Sequence, residues 1–364
     1  MDGRIDMPQG IISSNSYTLA DYALNSNQPA VQRVAMSLID YGNIAQDISF
    51  VNRKTLIKNG RRFEGNLPAV NWSPLNSEGV SVKGTPTAYA EQSYFIREYI
   101  DVDKFIVEDE NEIEDPRAQQ ARIVLKSITY DFNNKFFKND HITGDVNSFI
   151  GIRARIDDAV SGGQNRFGVR PENKIDGGGA AIDISQAGLT AKTGGAFLEM
   201  LDLLLWSVDS PEGESVVLYM NDYLRRRLHF VLRFMGTSGG LDQTRDQFNR
   251  VIYQYKGAMI RDPGVKADQT TRILAGNAIA AGAGSVGETA AGVDSTGASA
   301  NFASIYAVNY SEDHFQGWQF EPINVQDMGL VYNGAIYRTL IDWMIGFWND
   351  STRSLGRLYD IKIG

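Results

Sequence analysis

The chain has 364 residues, of which 43% are hydrophobic and 22% charged, with a formal net charge of −9 and no cysteine. That length accommodates two domains or one elaborated domain with a sizeable core. The missing cysteines exclude disulfides, thiolate metal centres and cysteine nucleophiles, and they fit a reducing compartment such as a bacterial cytoplasm. The acidic balance runs against a protein that grips nucleic acid, which needs a basic stripe facing the phosphates. The polar opening Met1-Asp2-Gly3-Arg4-Ile5-Asp6 lacks the apolar core of a signal peptide. No stretch nears the ~20 apolar residues that span a bilayer, so no membrane partner is expected.

Residues 1–50 are broken by Ser13-Ser14-Asn15-Ser16 and Asn25-Ser26-Asn27-Gln28-Pro29, and they read as an extended arm with a short helical piece at Val31 to Tyr41. Such an arm buries little of itself and is expected to lie on another surface. From Phe50 to Val107 the pattern is that of strands. Thr55-Leu56-Ile57-Lys58 runs into Asn59-Gly60, a tight-turn dipeptide. Leu67 to Trp72 follows, then a polar, Gly-containing tip from Asn76 to Gly84, then a return run from Thr85 to Val107. In the return run Tyr94, Ile96, Ile100 and Val102 share one face, with Glu98 the polar exception, and Phe95, Arg97, Tyr99 and Asp101 share the other. A two-stranded excursion of this length is not stable alone. The nearby sequence offers no partner, so a neighbouring subunit is expected to supply one.

The run Glu108-Asp109-Glu110-Asn111-Glu112 precedes Asp115-Pro116, an N-cap followed by proline at the first helical position. Ala121, Leu125, Ile128, Phe132 and Phe136 then mark one face of a helix. The spacing predicts a helix from Pro116 to Lys138, ~34 Å long, with acids at its positive end and Lys135 and Lys138 at its negative end. Phe149-Ile150-Gly151-Ile152 reads as a short strand, and 157–180 as loop. Two helices are predicted next: Ala196 to Val208, preceded by Gly194-Gly195, and Asp222 to Met235, stopped by Gly236. Between them Ser215 to Tyr219 reads as a buried strand. Further strands near Met259-Ile260, Ile273-Leu274 and Ser304 to Asn309 complete an α/β block. Residues 276–301 are a low-complexity Gly/Ala/Ser/Thr loop, and Leu330 to Trp348 and Leu355 to Ile363 are apolar enough to be core.

Motifs with chemistry are weak. Gly282-Ala283-Gly284-Ser285-Val286-Gly287 spells G-x-G-x-x-G, but within a Gly/Ala tract with no helix after it. Lys192-Thr193 lacks the glycines of a phosphate loop. His141, His229 and His314 are scattered, and Asp313-His314 has no nucleophile motif beside it. The acidic run at 108–115 lacks the glycine of a calcium loop. Arg225-Arg226-Arg227 point in different directions on a helix, so they form ion pairs within or between subunits before any nucleic-acid stripe. No catalytic residue, cofactor or metal is expected.

The order of elements (arm, long hairpin, long helix, α/β block, returning C-terminus) resembles the Hong Kong 97-type major capsid protein of tailed bacteriophages. Two local runs carry the likeness besides that order. One is Gly346-Phe347-Trp348-Asn349-Asp350-Ser351-Thr352-Arg353-Ser354-Leu355-Gly356-Arg357-Leu358-Tyr359-Asp360-Ile361. The other is Asp115-Pro116 with its amphipathic helix and Phe149-Ile150-Gly151-Ile152. The resemblance implies an α+β fold with an N-terminal arm at 1–50, an E-loop hairpin at 51–107, and a first P-domain part at 108–195 with spine helix 116–138. It further implies an A-domain at 196–317 and a P-domain return with C-terminal strands at 318–364.

The implied function is a virion shell subunit, assembled in the host bacterial cytoplasm into hexamers and pentamers around packaged double-stranded DNA. DNA would be met on the inner face without sequence-specific binding. The implied partners are a portal protein, a separate scaffolding protein and a decoration protein. Some members cross-link an E-loop lysine to a neighbour's asparagine; Lys58 and Lys83 lie in this hairpin, but no motif marks the asparagine or the catalytic acid. The residues expected at subunit contacts are Glu78, Lys83, Arg97, Glu110, Glu112, Arg225, Arg226, Arg353 and Arg357. The competing reading is a soluble α/β enzyme or ligand-binding protein with an extended N-terminal arm.

Overall fold

The computed structural model describes residues 43–364 apart from 63–67, 85, 109–114, 142–143, 158–166, 210–214, 237–240, 246–250, 269, 275–301, 312 and 332–333. The arm expected at 1–50 therefore lies almost wholly outside the described residues. Glu110, Glu112 and the whole 276–301 loop with its glycine motif lie outside them too.

Two sheets organise the chain. The first contains β1 (Phe50–Asn52), β11 (Phe315–Gln319), β13 (Ile336–Asn349) and β12 (Asn324–Val331) in that order, with β4 (Tyr94–Asp103) also on β13. The second runs β5 (Lys174–Asp183), β14 (Leu355–Lys362), β10 (Phe302–Asn309), β6 (Val216–Tyr219), β9 (Ala258–Arg261), β8 (Val251–Tyr255) and β7 (Leu241–Arg245). A separate two-stranded ribbon pairs β2 (Ile57–Arg62) with β3 (Thr87–Gln92).

The long helix forms as its spacing dictates. Helix α3 (the shorter α1, Asn43–Asp47, and α2, Lys104–Val107, precede it) spans Pro116–Lys138, and the Asp115 side chain accepts from the Arg117 backbone N–H. Its apolar face lies on the five-stranded sheet. Leu125, Ile128, Phe132 and Phe136 share a core with Ile100 and Val102 of β4 and Ile341, Trp343, Ile345 and Phe347 of β13. Ring contacts are dense there, with Phe149 and Phe347 centroids 4.8 Å apart and Phe315 and Phe347 stacked at 5.6 Å.

The central strands β6 and β10 of the seven-stranded sheet are buried on both faces, and period two assigns their side chains alternately to two cores. Val216 and Leu218 face α5 (Ala191–Ser207) and α6 (Asp222–Phe234), whereas Val217 and Tyr219 face the spine-helix core. The same alternation sends Tyr306 and Val308 of β10 one way and Ile305 and Ala307 the other.

Several expectations are corrected. Asn59-Gly60 is no turn: it sits in mid-strand, paired with Ala90 and Tyr89. A Cβ on Gly60 would fall 2.2 Å from the Tyr89 ring, so the glycine answers a close approach. The return strand β4 finds its partner within its own chain, pairing with β13 from Ile345↔Tyr94 to Ile336↔Asp103. Leu67 to Trp72 contributes no strand among its described residues, and Ile152 begins a short helix, α4 (Ile152–Asp157), instead of closing a strand. Ile273-Leu274 is buried but lies beyond an isolated bridge, Val265↔Arg272.

Helix α5 starts at Ala191, not after Gly194-Gly195. Thr190 and Thr193 form a reciprocal capping box, which is the local role of Lys192-Thr193. Gly194 lies inside the helix, where a Cβ would touch Val231 and Met235, so it lets α6 approach closely. One sheet draws strands from both sides of the expected boundaries. β5 and β14, from 174–183 and 355–362, join the sheet built mostly from 216–309.

Candidate inter-subunit surfaces

The hairpin is joined to the body at its root by polar contacts beside aromatic rings. Tyr89, Trp318 and Trp348 form a small core of their own. Asp350 accepts from the Tyr89 hydroxyl, from Trp348 Nε1 at 2.8 Å and from Lys58 Nζ at 3.4 Å. Lys58 Nζ also stands 3.1 Å from the centroid of the Trp348 ring. Burial draws its ammonium down to about 8, against the pull of Asp350. On β3, Glu91 receives two hydrogen bonds from Arg155 of α4, at 3.2 and 2.5 Å. Arg155 also donates to the carbonyls of Ile150 and Phe347 and lies over the Phe167 ring. A cavity of 460 Å³ lies under this root, lined by Tyr89, Glu91, Tyr94, His141, Arg155 and Phe347 among others.

Beyond the root the hairpin is exposed. From Ala69 to Lys83 every described residue is solvent-facing, including Val70, Trp72 at 95%, Leu75 at 93%, Val80 and Val82. Soluble surfaces rarely carry so many large apolar side chains in one stretch without a partner. Glu78 and Lys83 lie in this limb, exposed.

A second surface is the outward face of the five-stranded sheet. Phe95 and Tyr99 of β4 are more than half exposed there. Ion pairs join β4 to β13 on this face: Arg97 with Asp342 at 2.9 Å, between the two rings, and Asp101 with Arg338 at 2.6 Å, beyond Tyr99. At one end a groove of 280 Å³ runs between Leu56, Phe95, Phe320, Pro322 and Met344, rimmed by Glu321, Asn324 and Asp342.

The other residues expected at contacts are scattered. Arg225 lies over Tyr253, and Arg226 pairs with Asp222 at 3.1 Å on its own helix. Arg353 stacks on Trp206 and pairs with Asp209 at 2.8 Å. Arg357 overturns its expectation. Its side chain is fully buried, donating to Asp157 at 2.8 Å and to Ser304, between Tyr306 and Tyr359. A side chain with no exposed surface has none to offer a neighbour.

The histidines stay apart, His141 beside Tyr94, His229 against Tyr253 and His314 on Ser311. Among the described residues no group of three or more His, Asp or Glu is placed to hold a metal ion. No helix is long and apolar enough to cross a membrane among the same residues. The charge-led candidate set missed Trp72, Leu75, Phe95 and Tyr99. For Trp72 and Leu75 the signal was available: bulky apolar residues in a polar, Pro- and Gly-punctuated stretch that no periodicity assigns to a core.

No family model and no curated protein sequence matches the chain. Its likeness is in three dimensions. It superposes on the capsid of the native GTA particle with a TM-score of 0.53 at 10% identity, over 98% of this chain and 96% of that one. The chain has the Hong Kong 97-type capsid fold. The capsid of the empty GTA particle gives 0.51 at 11% identity over 88% and 89% of the two chains. The encapsulin of the holo-SrpI complex from Synechococcus elongatus gives 0.50 at 11% identity over 86% and 85%.

Proposed function

We propose that this protein is the major capsid protein of a tailed bacteriophage, a structural subunit without catalytic chemistry that closes into hexamers and pentamers around packaged double-stranded DNA. The observation that carries the reading is the limb from Ala69 to Lys83, whose large apolar side chains none of the described residues covers. A subunit built to bury that limb on a copy of itself accounts for it; a monomeric enzyme does not. In this reading the hairpin within 51–107 drapes over an adjacent subunit, the block at 196–317 closes the capsomer centre, and the arm at 1–50 lashes neighbours together. The P-domain comprises 108–195 and 318–364, with β5 and β14 lent to the second sheet. The net charge of −9 suits a wall that DNA slides past instead of one that grips it. The mature protein resides in the virion after assembly in the host cytoplasm. A portal protein and a separate scaffolding protein are its assembly partners, and a decoration protein is a further one.

Negative-stain electron microscopy with light scattering tests this, on protein expressed alone and with the neighbouring phage genes. Closed shells, tubes or hexameric rings are expected, with nuclease-protected DNA inside shells from infected cells. A monodisperse monomer or dimer under every assembly condition would overturn the reading.

A further inference from the structure

Residues 43–52 enter the body between its two sheets. Ile44, Ala45, Ile48 and Phe50 are buried, and β1 runs parallel to β11. In the middle of this apolar contact stands a carboxylate, Asp47, only 6% exposed. The groups that meet it come from the other sheet. The Tyr219 hydroxyl on β6 donates to Oδ2 at 3.0 Å, and Arg261 Nε at the end of β9 lies 3.4 Å from Oδ1. The Tyr310 hydroxyl, just beyond β10, sits 2.8 Å from that of Tyr219 and extends the chain of hydrogen bonds. These residues link the segment that leads in from the N-terminus to the seven-stranded sheet.

Two effects oppose each other at Asp47. Arg261 and the Tyr219 hydrogen bond favour the ionised carboxylate, while burial penalises it, and burial is the larger. The carboxyl is accordingly raised from 3.8 to about 6. Burial pushes the Tyr219 and Tyr310 hydroxyls far up from their ordinary value, so both remain protonated donors near neutrality.

We propose that Asp47 is a proton-sensitive anchor, through which α1 docks on the seven-stranded sheet more tightly when the carboxyl is protonated than when it is ionised. The sign follows from linkage. Undocked, Asp47 meets water and keeps its ordinary acidity; docked, it holds its proton to higher pH, so docking takes up protons and is favoured as pH falls. Between about pH 7.5 and about pH 5 the docking equilibrium tightens about tenfold. A surface ion pair would do the reverse. The anchor is a property of the subunit and holds whether or not the chain forms a shell.

Hydrogen exchange of the purified full-length protein tests this at those two pH values, with rates corrected for intrinsic exchange and the spine helix as internal reference. Peptides covering 43–50 are expected to gain about tenfold protection at the lower pH, and Asp47→Asn to remove the dependence. Tyr219→Phe deletes a bond that favours the ionised form, so it moves the midpoint upward in pH and keeps the test alive if the Asn variant folds poorly. Equal or weaker protection at low pH in the wild type would overturn the proposal. So would a dependence that survives Asp47→Asn, or exchange that tracks the spine helix at both pH values.

Discussion

Glu91→Gln is expected to loosen the hairpin at its root, and the size of the effect follows from what it strands. Arg155 is 3% exposed and its partner Glu91 10%. Removing one member of a buried pair leaves an uncompensated charge, at a cost of ~3–5 kcal/mol. Arg155 keeps the carbonyls of Ile150 and Phe347 as acceptors, which places the expected loss near the lower end, ~3 kcal/mol. The double variant Glu91→Gln/Arg155→Met removes the stranded charge and sets an apolar side chain beside Phe167 and Phe315, rings that already flank the guanidinium. It strands two carbonyls at ~1 kcal/mol each, so it should lie within ~2 kcal/mol of the wild type and above the Glu91→Gln single variant. Urea unfolding of the dissociated subunit, read as a double-mutant cycle, measures the coupling. A single-variant loss under ~1 kcal/mol with additive behaviour would refute the claim that charge pairing seats the hairpin.

Trp72→Glu combined with Leu75→Glu should abolish closed assemblies in electron microscopy while the circular dichroism of the subunit stays unchanged, because both side chains are exposed in the isolated chain. Gly346→Ala should cost about 3 kcal/mol in chemical unfolding, since its Cβ would fall 2.3 Å from the fully buried Trp318 ring. Gly60→Ala should displace Tyr89 from Asp350 and raise protease sensitivity at the hairpin root while leaving the spine helix protected from hydrogen exchange.

The spine helix could be read from the sequence because everything that makes it is local. Its hydrogen bonds run four residues back, its cap is Asp115 and its apolar stripe recurs at helical spacing. The same holds for the alternation in β4, where Ile100 and Val102 are buried and Phe95 and Tyr99 exposed. Strand pairing is not local. The partner of β4 is β13, and Arg97 meets Asp342 across 245 residues, so nothing near the hairpin announces it. Gly60 looked like a turn because the sequence could not show Tyr89 against its face. Arg357 looked like a contact residue because charge marks a side chain for the surface unless a partner such as Asp157, 200 residues away, waits inside. What the sequence alone determined about this protein is the long helix with its cap and apolar stripe, and which faces of that helix and of β4 turn inward. The tertiary structure alone decided which strands pair and which charges are buried, because both depend on contacts between residues far apart along the chain.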